Sequence, residues 1–139
     1  MTHRDEHLRS LRTEIQSAKV TEGMTPDEQF QNKTLRPIAK LQDLLFIEVF
    51  KNYIFKHKNT FYGLSIEKRI VFIENAIQRD IKFRNSLKGI MIGQFTIEEY
   101  VAYIQNSSSL NKRMMNIVKE RLINNIQLLE DNHIYKQAQ

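Results

Sequence analysis

The sequence LLFIEVF, residues 44–50, is apolar at every position except Glu48. A run this short is compatible with a buried strand or with part of a buried helix. The apolar residues on either side keep the helical spacing of three and four, and they are Ile38, Leu41, Tyr53 and Ile54. This spacing favours a helix over residues 37–58, with apolar side chains all round it. We therefore predict that this helix is the buried, central helix of the fold.

Start and stop signals divide the rest of the chain into further helices. Thr25 can cap a helix that Pro26 opens, and this helix should end near Arg36 because Pro37 disfavours a helical residue before it. Later caps are Ser65, the capping box of Thr96 and Glu99, and the serines at 107 to 109. These caps predict helices over residues 65 to 88 or 92, 96–106 and 109–130. With no alternating strand pattern, the predicted fold class is all-α, a bundle of about five helices.

The first residues carry an amphipathic pattern of their own. Four apolar residues repeat at helical spacing, and they are Leu8, Leu11, Ile15 and Ala18. This predicts a helix over residues 3–20, followed by a linker around Gly23. Such a helix is marginal alone in water, so we expect its apolar stripe to dock on a neighbouring subunit or beside a two-fold interface. The predicted domains are an N-terminal helical arm and linker, 1–24, and a helical bundle, 25–139.

Composition excludes several classes of site. The 139 residues include no cysteine, which removes disulfides, thiolate metal sites and cysteine nucleophiles. The N-terminus has no apolar signal segment, and no run approaches the ~20 residues of a membrane helix, so we expect a cytoplasmic protein with no membrane partner. The net charge is +5, and residues 33–88 carry twelve Lys or Arg against five Asp or Glu. This basic excess permits binding to nucleic acid, anionic lipid or an acidic partner without specifying one.

Residues 3–7 read HRDEH and match the zinc-binding pattern H-x-x-E-H. A catalytic zinc site needs a third ligand and a cleft that excludes water. The other histidines, His57 and His133, are isolated in the sequence. We therefore predict that His3 and His7 form no functional zinc site. The sequence indicates neither a metal nor another cofactor, and it weighs against an enzyme.

The sequence TIEEYVAYIQNSSSLNKR, residues 96–113, resembles a helix-turn-helix of the DNA-binding kind. Such motifs open with Thr-x-Glu-Glu, place an aliphatic residue where Ile104 lies, and cap the recognition helix with a serine such as Ser107. Three positions depart from the pattern, namely Val101, Gln105 and Asn106. The resemblance implies nucleic-acid binding by residues 96–121. The residues that would face the major groove are Asn111, Lys112, Arg113 and Asn116.

Four charged residues lie where the helical pattern expects apolar ones, and they are Glu48, Asp80, Arg84 and Arg121. Buried charges cost several kcal/mol unless they are paired, so we expect these residues to pair with each other. They would then form a small-molecule or catalytic site in the bundle core, or a structural ion-pair network. The third alternative is a helix stripe that drifts, so that the charges reach solvent. The apolar residues Phe72, Ala76, Phe83 and Leu87 support this drift.

Four stretches of the chain are similar to a group of short uncharacterised bacterial proteins, and they read LRPIAKLQ, IEVFKNYI, DIKFRNSLKGIMIGQFTIEEY and NKRMMNIVKERL. Some of those proteins carry the label glyoxalase. Metal-dependent glyoxalases have a β-rich fold with His and Glu ligands on strands, which this sequence does not match. The resemblance therefore implies an all-helical bacterial protein, without that activity.

Taken together, these patterns favour a small helical module for protein–protein interaction or assembly, acting as a homodimer. The first alternative is a nucleic-acid-binding protein that uses residues 96–121. The second is a small-molecule site lined by the four charged residues at core positions.

Overall fold

The computed structural model describes residues 2–12 and 20–130. Within these two ranges the secondary structure is helical and no strand occurs, which confirms the predicted all-α class. Helical segments outnumber the five predicted, because the predicted helices break or change geometry partway. The α-helices are α1 (His3–Ser10), α2 (Pro26–Phe30), α3 (Arg36–Leu41), α4 (Asp43–Lys56), α5 (Ile66–Arg79), α6 (Ile81–Ile92), α7 (Ile97–Ile104) and α8 (Ser107–Asn124). Short 3₁₀ turns span Thr60–Gly63 and Ile126–Leu129.

Helices α2 and α3 are joined by one turn of π-helix, Gln31–Leu35, so the prediction that the helix ends near Arg36 is wrong. The Arg36 N–H donates to the carbonyl of Gln31, five residues back. In a regular α-helix the ring of Pro37 would clash with the carbonyl four residues back. The wider π turn ahead of the proline accommodates its ring. Helical geometry therefore continues to Leu41.

Helix α4 contains the LLFIEVF run, but it is not buried all round as predicted. Phe46 and Phe50 are buried, whereas Leu44 is 72% exposed and Leu45 and Glu48 also face solvent. Residues four apart share one face of a helix, so residues 46 and 50 point inward together and residues 44 and 48 point outward together. Helix α4 packs against α8 and the C-terminal 3₁₀ turn on its buried face.

Helix α8 is the central helix instead. It packs against five other helices, α3 to α7. Its buried side chains extend round most of the helix, and they are Leu110, Met114, Met115, Ile117, Val118 and Leu122. No helix in the described part of the chain is long and apolar enough to cross a membrane.

The predicted helix from residue 65 breaks at Asp80 into α5 and α6. Asp80 has an extended backbone, and its carboxylate accepts a hydrogen bond of 3.1 Å from the N–H of Phe83. The same carboxylate accepts a hydrogen bond of 2.9 Å from the hydroxyl of Tyr53. Asp80 is therefore the N-cap of α6 rather than a residue inside a continuous helical seam.

The N-terminal helix is shorter than predicted, because α1 ends at Ser10. The predicted stripe residues Ile15 and Ala18 lie outside the described residues. Gly23 has a φ of +87°, in the left-handed region that glycine favours, and it lies in a turn ahead of α2. This turn agrees with the predicted interruption around Gly23.

Candidate functional site

Residues 2–12 dock on the connection between α6 and α7 through polar groups. The guanidinium of Arg4 donates to the carbonyls of Phe95 (2.9 Å) and Gly93 (3.0 Å). The buried carboxylate of Asp5 accepts from the N–H of Ile97 at 3.3 Å, at the first residue of α7. These bonds connect the beginning of the chain to residues about 90 positions later.

Glu99 is the centre of this contact. Its buried carboxylate accepts two short hydrogen bonds from Arg12, at 2.5 and 2.6 Å, and one from the hydroxyl of Thr34 at 3.0 Å. It also accepts from the N–H of Thr96 at 2.8 Å, which completes the predicted capping box. Burial alone would raise the pKa of Glu99, but the hydrogen bonds from Arg12 and Thr96 and the Arg12 charge hold it below its ordinary value.

Residues 2–12 contact the rest of their own chain through polar rather than apolar side chains, and docking of the predicted apolar stripe on a second subunit stays a prediction. Leu11 is 57% exposed and Leu8 is half-buried, while the charged side chains of Asp5 and Arg12 point into the contact. The carbonyls and N–H groups at the α6–α7 connection offer hydrogen-bond partners there, which accounts for a polar contact. The N-terminal end of α7 is therefore held by Asp5 and Arg12 on one side and by Thr34 on the other.

The outer side of α7 is apolar and exposed. Ile97, Tyr100, Val101 and Ile104 each expose between 45% and 59% of their surface. Their spacing of three, four and seven places them on one helix face, which we call the α7 face. Tyr103 and Glu99 occupy the opposite, buried face. The sequence IEEYVAYI has more apolar residues than one face of a short helix can bury, and this excess is the signal that sequence analysis missed.

Of the four residues predicted to face nucleic acid, two are hydrogen-bonded within the chain and two face solvent. Asn111 accepts a hydrogen bond from the hydroxyl of Tyr103 at 2.6 Å, and Arg113 donates to the side-chain oxygen of Gln31 at 3.0 Å. Lys112 and Asn116 face solvent. The most exposed residues of α8 follow one stripe, and they are Ser108, Lys112, Asn116, Glu120 and Asn124. Asn111 and Arg113 beside this stripe are half-buried and bonded within the chain, so Lys112 and Asn116 are the two of the predicted four that present their side chains to solvent.

The four charged residues at predicted core positions do not form ion pairs with each other in the described part of the structure. Glu48 pairs with Lys51 at 3.3 Å near the surface. The guanidinium of Arg121 donates to both oxygens of Asp43, at 2.6 and 2.5 Å. Asp80 accepts from Tyr53, as described above, and the side chain of Arg84 lines a groove that none of the other three residues lines.

Two of these contacts shift the pKa of their groups. Burial and the hydrogen bond to Asp80 raise the pKa of Tyr53 to about 12. The N–H of Phe83 and the Tyr53 hydroxyl hold the pKa of Asp80 below its ordinary value. The hydrogen bonds to Asp43 raise the pKa of Arg121. These are structural pairs, each with its own partner, rather than one convergent site.

Arg84 instead joins two members of the nucleic-acid set at a groove between α5, α6 and α8. The groove has a volume of about 280 Å³. Its lining contains no carboxylate, and the lining residues are Ile77, Gln78, Arg84, Lys112, Met115, Asn116 and Lys119. We call it the cationic groove. Lys119 and Gln78 were not anticipated, although the spacing 112, 115, 116 and 119 indicates one face of α8.

In the part of the chain that is described, no group of three or more His, Asp or Glu side chains is placed to hold a metal ion. Comparison with protein-family models, curated proteins and solved structures gave no match to this chain. Its function is therefore argued from the α7 face and the cationic groove.

Proposed function

We propose that the protein is a self-associating helical interaction module, and that two copies meet through the α7 face. The observation that carries this proposal is the set of four large side chains on one side of α7, each about half exposed. A contiguous apolar face of this kind marks an interaction site more often than a plain solvent-facing surface.

The α7 face has the symmetry that a two-fold interface requires. Its positions 97, 100, 101 and 104 are spaced symmetrically about a point between Tyr100 and Val101. When two such helices pack antiparallel, Ile97 lies against the partner's Ile104, and Tyr100 lies against the partner's Val101. A two-fold contact brings the same patch of both copies together, so this self-complementary spacing suits a second copy of the chain.

The strength of the contact can be bounded from the exposed side chains. Full burial of one large apolar side chain contributes ~1.5–3 kcal/mol, so burying the exposed halves of eight such side chains contributes about 6–12 kcal/mol. Association itself costs about 4–15 kcal/mol. The largest gain less the smallest cost is about 8 kcal/mol, which corresponds to a Kd of about 1 μM, so a dimer through this face is reversible rather than permanent. Helix α7 is already fixed by Asp5 and Glu99, so little further ordering is needed.

The test is one substitution at the centre of the α7 face with a matched control elsewhere. Val101→Glu places a charge opposite the partner's apolar face and should make the protein monomeric at concentrations where the unaltered protein dimerises. Val71→Glu introduces the same charge on α5, at a residue exposed to 51% against 52% for Val101. Sedimentation velocity across a concentration series, with circular dichroism to confirm folding, distinguishes them.

Two results would contradict the proposal. One is an unaltered protein that stays monomeric at high micromolar concentration. The other is a Val71→Glu variant that loses dimerisation as fully as the Val101→Glu variant, because the effect would then come from added charge rather than from the α7 face.

A further inference from the structure

We propose that the cationic groove binds a small molecule that carries a phosphate group. This inference is separate from self-association, since the groove and the α7 face share no residue. It rests on the charges at the rim of the groove, on the apolar floor between them, and on the volume they enclose.

Three cationic side chains meet at the rim with no acidic side chain to balance them. Arg84, Lys112 and Lys119 line the groove, and in the two ranges that the structure describes none of them has a carboxylate oxygen within 4 Å. Cations that line one groove with no carboxylate among them favour a bound anion. A guanidinium can donate two parallel hydrogen bonds to one phosphate, and lysines add point charges.

The groove lies beside the break between α5 and α6. The last turn of α5 contributes Gln78 to the rim, and the first turns of α6 contribute Arg84. Had the helix continued without a break, residues 78 and 84 would have lain on different faces, because six residues turn a helix through about 600°. The side-chain amides of Gln78 and Asn116 add neutral donors and acceptors between the cations.

The floor of the groove is apolar. Ile77 and Met115 form it, and both are buried. A few polar groups around an apolar floor is the usual composition of a small-molecule site. The volume of about 280 Å³ lies near the lower end of the range for such sites, roughly 300–1,000 Å³. The ligand class that fits is a phosphate ester or polyphosphate with a compact apolar body.

A nucleic-acid duplex fits this surface less well. A duplex binds along a row of phosphates and needs cations spread over several of them. The exposed stripe of α8 continues from Lys112 and Asn116 to Glu120, whose carboxylate would face the next phosphate. The cations therefore share one groove, and an acidic side chain follows them along α8.

Inorganic pyrophosphate is the probe for the experiment. In amide NMR spectra of the full chain, millimolar pyrophosphate should shift signals of residues 77–84 and 112–119. Calorimetric titration should show that the double variant Lys112→Gln/Lys119→Gln binds at least about tenfold more weakly, since a charge-assisted hydrogen bond commonly contributes that much or more. The control is Lys40→Gln/Lys68→Gln, which removes the same net charge from exposed helical positions outside the groove.

The result that supports the proposal is a loss confined to the groove variant, with both variants folded. Three results would overturn it. These are an absence of shifts at the groove, an equal loss in the control variant, and a short DNA duplex that displaces pyrophosphate in a manner dependent on Lys112 and Lys119. The last would assign the cations to nucleic acid.

Discussion

At the scale of single residues, the most consequential interaction is the buried ion pair of Arg12 and Glu99. Their side chains expose 10% and 8% of their surface, so both charges are largely removed from water. Each is offset by the other and by hydrogen bonds to Thr34, Thr96 and the carbonyl of Gln94. Removing one partner of such a pair lowers the free energy of unfolding by far more than the intact pair adds to it, because the other charge stays buried without a partner.

We predict that Arg12→Met lowers the free energy of unfolding by about 3–5 kcal/mol at neutral pH, and that Glu99→Gln has an effect of similar size. The folded pKa of Glu99 lies below its ordinary value of 4.5. Its contribution to stability is therefore complete above that pH and is lost as the pH falls through the folded pKa. The difference between the unaltered protein and Glu99→Gln should shrink in acid.

Urea denaturation over a series of pH values measures this difference. Glu48→Gln serves as the control, because that carboxylate is exposed and its pair with Lys51 contributes at most about 1 kcal/mol. A Glu99→Gln penalty that stays constant from neutral to acidic pH would show that the charge of Glu99 is not what matters.

The sequence predicts one part of the contact around Glu99, the capping box, but not the other, the pair with Arg12. The capping box of Thr96 and Glu99 depends on residues three apart and was predicted, as the structure confirms. Arg12 lies 87 residues from Glu99, and no local pattern connects them. The apolar spacing at Leu8 and Leu11 even suggested the opposite face for docking. Pairing across such a separation is decided by tertiary packing, which a single sequence does not display.

At the scale of secondary-structure elements, the break at Asp80 determines how α5 and α6 pack. The cationic groove lies beside this break. The apolar spacing runs on from α5 into α6, so periodicity alone predicts one helix. Asp80 is a good capping residue, and the Tyr53 hydroxyl on α4 adds a second hydrogen bond to its carboxylate. The π turn before Pro37 is the opposite case, because there the local signal for a helix end was overridden.

We predict that Asp80→Ala lowers the free energy of unfolding by about 0.5–2 kcal/mol, the usual loss for an N-cap. Asp80→Asn should cost much less, because an asparagine side chain also accepts from the N–H of Phe83. Chemical denaturation compares the two. An asparagine variant as unstable as the alanine variant would mean that the cap is not the source of the loss.

At the scale of the whole molecule, residues 2–12 lie on the connection between α6 and α7, about 90 residues later in the chain. The predicted division into an arm, 1–24, and a bundle, 25–139, followed from the turn around Gly23. In the structure, residues 2–12 are hydrogen-bonded to α7 and to the residues just before it, so the two predicted units are in contact. The all-α class was predictable from spacing and caps. The identity of the central helix was not predictable in this way, because the sequence of α4 is more apolar although α8 buries more side chains.

We predict that deleting residues 1–22 leaves a helical protein of lower stability in which Glu99→Gln has lost most of its effect. The deletion removes Arg12 and admits water to the Glu99 carboxylate, so the substitution no longer breaks a buried pair. Urea denaturation of all four proteins gives the coupling as a double-mutant cycle. A Glu99→Gln penalty of equal size in the full and truncated chains would show that Arg12 and Glu99 act independently.

The position of α8 also has a consequence for synthesis on the ribosome. At about 5–20 residues per second, the 87 residues that separate Arg12 from Glu99 take about 4–17 s to emerge. During that interval Arg12 lacks its partner, whereas Phe50 can already pack against the rings of Phe61, Phe72 and Phe83. The aromatic cluster around Phe50 can therefore form before α8 is made. Completion of the core waits for residues 107–124, because α8 packs against five of the other helices.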